Sequence, residues 1–248
     1  MPMTTPPVVG LVLAAGASSR LGEPKQLLVD AAGIPAVVRV VRALMTAGCD
    51  DVFVVLGAES ARVAAVLQGE SVQLVQHAGW RAGMGSSIAE GVRAIRRQRV
   101  RSPEGDAPPG LDGVLVAPCD MPAVDAGHLR RLLSAFDGSS RVASSYRSPD
   151  GDDVVGIPAV LPRGDFAWLE ALEGDRGARP LFREPGTRTV PLPYGSFDLD
   201  TPADLDRWRR SQSDFHRHAT VLPQTALMDS DQACANTRRV FGPAADEK

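Results

Sequence analysis

Three short, almost uninterrupted apolar runs constrain this chain more than anything else in it: Val8-Val9-Gly10-Leu11-Val12, Val52-Phe53-Val54-Val55-Leu56 and Val114-Leu115-Val116-Ala117. Each has strand length and no polar face, so each predicts a strand covered on both sides. Between them the apolar period changes. Val37, Val38, Val40, Val41, Leu44 and Met45 recur at helical spacing after Pro35 and stop at Gly48; Ala61 to Leu67 forms a second such segment, and Ile88, Val92 and Ile95 a third. A further strand is expected near Val72 to Val75. Strand and helix alternate, which predicts an α/β fold of β-α-β units: a mostly parallel central sheet with helices on both faces. Downstream, Leu129, Leu132, Leu133 and Phe136 mark a helix, Val142 to Tyr146 a strand, and Phe166, Leu169 and Leu172 a short helix. Thr201-Pro202-Ala203-Asp204 supplies an N-cap, a helix-start proline and a first-turn acid before Leu205 and Trp208.

With 248 residues, 44% hydrophobic and 23% charged, the chain has material for one substantial core. The expected domain runs over 8–210, with Arg101 to Asp112 as a surface loop. Residues 211–248 show no apolar period; they read as a polar, loosely attached C-terminal tail of the composition that stays disordered. A net charge of −3 leaves no basic footprint for nucleic acid, and Arg96-Arg97 and Arg207-Arg209-Arg210 read as solvated helix faces. Cys49, Cys119 and Cys234 are widely spaced, which suggests neither a disulfide framework nor a zinc site. No export signal and no membrane-spanning apolar stretch is visible, so a cytoplasmic location is expected.

The chemistry concentrates where strands end. After the first strand comes Leu13-Ala14-Ala15-Gly16-Ala17-Ser18-Ser19-Arg20-Leu21-Gly22-Glu23-Pro24-Lys25. Small side chains let backbone N–H groups approach phosphate oxygens, and Arg20 and Lys25 neutralise charge. The spacing matches neither G-x-x-x-x-G-K-[ST] nor G-x-G-x-x-G. Beyond the Val114 strand stands Asp120, in Ala117-Pro118-Cys119-Asp120-Met121-Pro122. Ligands of open α/β sheets lie past the carboxyl ends of strands, so Asp120 is a candidate Mg²⁺ ligand facing the same crevice; the plainer alternative is a turn or N-cap acid. Cys119 lacks the His and acid of an activated nucleophile. In Gly79-Trp80-Arg81-Ala82-Gly83-Met84-Gly85-Ser86-Ser87, the glycines permit close approach and Ser86 and Ser87 offer hydroxyls at a helix start. A glycine-rich helix entry capped by serine explains that segment equally well. In Phe197-Asp198-Leu199-Asp200-Thr201-Pro202, an extended backbone sends Asp198 and Asp200 to one side, although Asp200 is also suited to helix capping.

These motifs carry a resemblance. Leu13-Ala14-Ala15-Gly16 with Pro24-Lys25-Gln26-Leu27-Leu28 resembles the signature of the MobA-like nucleotidyltransferases, most of all the molybdenum cofactor cytidylyltransferase (MocA-like) branch, and the likeness extends from about Val8 to Arg210. It implies a single Rossmann-like, GT-A-like nucleotidyltransferase domain. It implies nucleotide binding by Leu13, Ala14, Ala15, Gly16, Ala17, Ser18, Lys25, Gly83, Ser86 and Ser87. Arg20, Lys25 and Asp120 are the implied catalytic groups, with Asp120, Asp198 and Asp200 as metal ligands for Mg²⁺. Gly174-Asp175-Arg176-Gly177-Ala178-Arg179 is similar to the family's G-D-x-G-A-R, which makes Arg179 an acceptor-phosphate clamp. Four positions depart from the usual pattern: His77 for Asn, Gly85 for Ser, Met121 for Gln, and Ile157 for the His of a G-H-P element. The implied reaction moves CMP from CTP to a phosphorylated acceptor, molybdopterin by resemblance, and releases pyrophosphate; a molybdoenzyme or its chaperone is the implied partner. Two other enzyme readings stand beside it, a transferase for a different acceptor and a nicotine blue oxidoreductase-like protein. A non-catalytic cofactor carrier is the third, and it would not need Asp120.

Overall fold

The computed structural model describes residues 6–49, 51–100 and 111–210; most of the expected Arg101 to Asp112 loop, the tail 211–248 and Cys234 lie outside the described residues. Among the described residues, seven strands form one sheet: β1 (Val8–Ala14), β2 (Val52–Leu56), β3 (Gln73–Gln76), β4 (Gly113–Pro118), β5 (Val142–Arg147), β6 (Asp153–Pro162) and β7 (Arg188–Pro191). Their order is β3-β2-β1-β4-β6-β5-β7. β1 lies parallel between β2 and β4, β2 pairs parallel with β3, and β5 with β7; only β6 runs against its neighbours.

The helices are α1 (Ala36–Ala47), α2 (Ser60–Val66), α3 (Met84–Val100), α4 (Ala126–Ala135), α5 (Phe166–Glu170), α6 (Arg179–Phe182) and α7 (202–210). Strand alternation sorts the core. Val8, Val12, Val52, Val54, Leu56 and Leu115 pack under α1, α2 and α4, against Val37, Val41, Leu44, Val63, Leu129 and Leu132. Val9, Leu11, Phe53, Val55, Val114 and Val116 face α3, α5 and α6, against Ile88, Val92, Ile95, Leu169 and Phe182. Both faces of each central strand are therefore buried, which is why these strands are apolar throughout. The structure bears out the α/β class and the helix-covered, mostly parallel sheet.

β6 and β7 are not apparent from sequence. In β6, Gly156 and two prolines interrupt the apolar pattern. The pairing of β5 with β6 steps from Ala143↔Ala159 to Ser144↔Gly156, so Ile157 and Pro158 form a bulge where the missing proline N–H removes no ladder bond.

A small third cluster lies outside the two faces of the sheet. Leu21 and Leu28, from the loop after β1, pack with Leu199, Leu205 and Trp208. These contacts clamp the loop carrying Arg20 and Lys25 onto the segment carrying Asp198 and Asp200. α7 behind them starts as expected: the Asp204 N–H reaches the Thr201 hydroxyl at 3.3 Å, and the Thr201 N–H returns to the Asp204 carboxylate at 2.9 Å.

Leu199 is completely buried. Leu199→Ala is expected to cost about 2 to 5 kcal/mol of stability and to weaken nucleotide binding, because the two charged segments lose their common anchor. Urea denaturation with parallel nucleotide titration checks this; wild-type values in both would contradict the clamp.

Candidate active site

The loop after β1 is held from behind by an amide. The buried Gln26 donates from Nε2 to the Ala14 carbonyl at 3.0 Å and to the Gly16 carbonyl at 2.7 Å. With these carbonyls fixed, and that of the buried Ala15 taking the Ala58 N–H at 3.0 Å, Gly16 and Ala17 stand exposed at the turn. Ser18 takes a left-handed conformation, φ 54°, and its hydroxyl accepts the Lys25 N–H at 3.0 Å, closing the loop on itself. A Cβ built on Gly16 meets nothing within 4 Å, so the space over it is open. Gln26 acts here purely through loop geometry, a role its position in the motif does not reveal.

Lys25 is the centre of the charges. Its ammonium lies 3.1 Å from Asp120 and also pairs with Asp200, while Arg20 holds the other oxygen of Asp200 at 2.7 Å. Burial alone would lower the Lys25 pKa; Asp120 and Asp200 outweigh it and keep the ammonium above its ordinary value, hence charged. Asp200 therefore does not serve as the cap of α7, a task taken by Thr201 and Asp204. The Leu199 N–H bonds the Asp120 carbonyl at 3.0 Å, fixing the two acidic segments side by side. Asp198 joins them. Withdrawal from water, followed by the charges of Asp120 and Asp200, raises its carboxyl to about 7, although one side of the residue remains open to solvent.

Arg39 of α1 braces this region from inside. Its guanidinium donates to the carbonyls of Pro122 at 3.2 Å, Val124 at 3.0 Å and Met121 at 3.4 Å, so the chain leaving Asp120 is pinned. Met121 is buried in the core, and Cys119 is buried with its thiol pushed far up by burial and then by Asp120, which leaves it inert.

The glycine-rich start of α3 packs closely against a neighbouring loop. Gly83 sits at φ +117°, and a Cβ there would come 2.2 Å from the Asp175 carboxylate; one on Gly85 would come 2.2 Å from the Arg176 carbonyl. The Gly85 N–H already bonds the Gly174 carbonyl at 2.9 Å. Ser86 donates to the Gly83 carbonyl at 2.7 Å and stands 2.9 Å from His77 Nε2, while Ser87 is buried. This segment thus clasps the Gly174 to Arg179 loop, and the His77 imidazole fills the place usual for Asn. Arg179, exposed at the start of α6, lies within electrostatic reach of Tyr146 and Asp198.

Among the described residues, no three His, Cys, Asp or Glu side chains form a ready metal cage. Mg²⁺ requires only one or two protein carboxylates and completes its shell with phosphate and water. Asp120 and Asp200, already sharing one cation and flanked by a carboxyl that resists ionising, fit that donor set.

The raised Asp198 pKa sets a pH dependence. Unfolded, the carboxyl ionises near 3.8; folded, near 7, so ionisation increasingly opposes folding as pH rises between those values and fully above them. Asp198→Asn should melt higher than wild type at pH 8, with the gap closing toward pH 4. Thermal melts across that range test this; a pH-independent difference would contradict it.

Comparison with known proteins places this geometry. Residues 10–190 match the MobA-like NTP transferase domain. Nicotine blue oxidoreductase of Paenarthrobacter nicotinovorans is 31% identical over 182 residues, 72% of this chain and 83% of that protein. A nucleotidyl transferase from Methanothermobacter thermautotroptrophicus superposes with a TM-score of 0.65 at 26% identity, covering 85% of this chain and 98% of its own. Rv0371C of Mycobacterium tuberculosis H37Rv, solved in complex with manganese, gives 0.62 at 25% identity over 83% and 99%. Among the described residues no helix is long and apolar enough to cross a membrane. With its small-residue loop, two cations and paired carboxylates at one end of a mostly parallel sheet, the chain belongs to the MobA-like NTP transferase family, a family of nucleotidyltransferases.

Proposed function

We propose that this nucleotidyltransferase moves CMP from CTP to the phosphate of a small-molecule acceptor, molybdopterin by resemblance, in the cytoplasm. The carrying observation is the Lys25 ammonium shared by Asp120 and Asp200 beside the open Gly16 loop. In that arrangement the triphosphate lies along the Ala14 to Ser18 backbone. Lys25 and Arg20 pass from carboxylate to phosphate oxygens, which frees Asp120 and Asp200. Those two residues, with Asp198 beside them, would hold a divalent cation; when bound, it supplies charge neutralisation across the phosphates. Manganese in the mycobacterial relative supports a divalent cation. An acceptor phosphate oxygen then attacks the α-phosphorus, the bond to the β-phosphate bridging oxygen breaks, and pyrophosphate leaves with the electron pair, stabilised by Lys25 and Arg20. The chain's own part is positioning and charge neutralisation, as phosphoryl transfer in general requires.

Cytosine preference rests on Ala15, where the guanylyltransferase branch usually has a second glycine. The oxidoreductase name of one relative keeps a second reading in view, but the first loop lacks the glycine fingerprint that receives a nicotinamide dinucleotide.

The test is pyrophosphate release from each nucleoside triphosphate, with and without molybdopterin carrying molybdenum. CTP with acceptor is expected to be the productive pair. Lys25→Met is expected to lower turnover by about 10² to 10³, and Asp120→Ala to abolish it with the fold intact. GTP as the tightest ligand, or near wild-type turnover by Asp120→Ala at saturating Mg²⁺, would overturn the reading.

A further inference from the structure

α1 carries two arginines, three positions apart, that find opposite surroundings. Arg42 lies largely in solvent and pairs with Glu70 at 2.8 Å. Arg39 turns inward, and among the described residues the partners of its guanidinium are three carbonyls, those of Met121, Pro122 and Val124, rather than a carboxylate. Burial lowers its pKa, and a cation at the end of the first turn stands where the helix dipole favours anions. A charge kept there against both costs points to what it holds.

What it holds is the turn that leaves Asp120. The Val124 N–H closes this turn on the Met121 carbonyl at 3.2 Å, and the guanidinium donates into it from the α1 side. On the other side the Leu199 N–H holds the Asp120 carbonyl at 3.0 Å. The first turn of α1 is itself tied to the nucleotide loop: the Ala36 N–H donates to the Leu28 carbonyl at 2.8 Å, and the Leu28 N–H to the Lys25 carbonyl at 3.2 Å. A path of hydrogen bonds therefore runs from Lys25 through Leu28 to Ala36, and from Arg39 to the residues after Asp120. One turn of α1, about 5.4 Å of rigid rise, joins the two ends of that path. It brackets the 3.1 Å contact between Lys25 and Asp120.

Carboxylates that share a cation with phosphate oxygens must stand at set distances from one another, and groups behind the ligands keep them there. We propose that Arg39 is a positioning residue for the divalent cation: by tying the turn after Asp120 to α1, it sets where the Asp120 carboxylate stands relative to Lys25 and Asp200. Arg39 acts through Asp120 and not on the cation itself. The planar guanidinium suits the task because its fork reaches three carbonyls at once, whereas an ammonium is a point charge without that spread. The inference rests on the reading above that Asp120 is a metal ligand.

The probe is Mn²⁺, titrated into protein saturated with a non-hydrolysable CTP analogue, with the free ion counted by electron paramagnetic resonance. Asp120→Asn gives the binding that the nucleotide provides alone. Arg39→Met should lower Mn²⁺ affinity by about 10- to 100-fold, toward that control, and Arg39→Lys should fall between, because it keeps the charge but not the fork. Affinity for the analogue without metal should match wild type in both, since the loop's own braces, Gln26 and the Ala36 bond to Leu28, are untouched. If the emptied carbonyls keep Arg39→Met from folding, Arg39→Lys carries the test. Mn²⁺ affinity at the wild-type level in the folded variants would overturn the proposal, and so would an equal loss of metal-free analogue affinity, the mark of a loosened fold. Mn²⁺ binding lost in Asp120→Asn but retained in the Arg39 variants overturns the proposal alone. Binding that ignores Asp120→Asn overturns it together with the metal reading.

Discussion

One ammonium group holds this cleft together. Lys25 bridges Asp120, at the end of β4, and Asp200, at the start of the last helix; Arg20 completes the set. For part-buried pairs such as those of Lys25, desolvation offsets much of the Coulomb gain, so the arrangement is better understood as stored charge than as glue. Cations suited to phosphate and carboxylates suited to a metal neutralise one another, and ligands that offer both charges let every group exchange one partner for another. Burial first, and then the carboxylates of Asp120 and Asp200, hold the Asp198 carboxyl above its ordinary pKa, and a cation bound among them would favour its ionised form.

The charges meet only because apolar contacts bring their segments together. Leu21 and Leu28 on one side and Leu199, Leu205 and Trp208 on the other are a small core outside the two faces of the sheet. Gln26 behind the loop and Arg39 behind Asp120 then fix the backbone on which the charged groups stand. Parallel strands β1 and β4 end at the same edge, so the phosphate loop and the metal acid share one crevice without further design.

Elements with continuous apolar runs or helical periods were legible in the sequence, since burial on both faces writes itself directly into composition. β6 was not, because a bulge containing Pro158 breaks the period that a strand otherwise shows. Arg20, Lys25 and Asp120 came forward through charge after strand ends and Asp200 through its alternation with Asp198, and the structure joins the four in ion pairs. Gln26 and Arg39 escaped notice because their roles depend on partners 10 and more than 80 residues away in sequence, which no local spacing encodes. Ser86 was read from its position at the helix start, and that position does not reveal that its hydroxyl donates to the Gly83 carbonyl and meets His77.

The most direct test of the central claim is the affinity for CTP measured by calorimetry with and without Mg²⁺. If Lys25 and Arg20 must leave Asp200 before they can take phosphate, metal and nucleotide assist one another, and Mg²⁺ should tighten CTP binding by about tenfold or more. The Asp200→Asn variant, which frees Arg20 and leaves Lys25 to Asp120 alone, should bind CTP without metal more tightly than wild type and gain little from Mg²⁺. Equal Mg²⁺ dependence in the two proteins would contradict the exchange of partners on which the account rests.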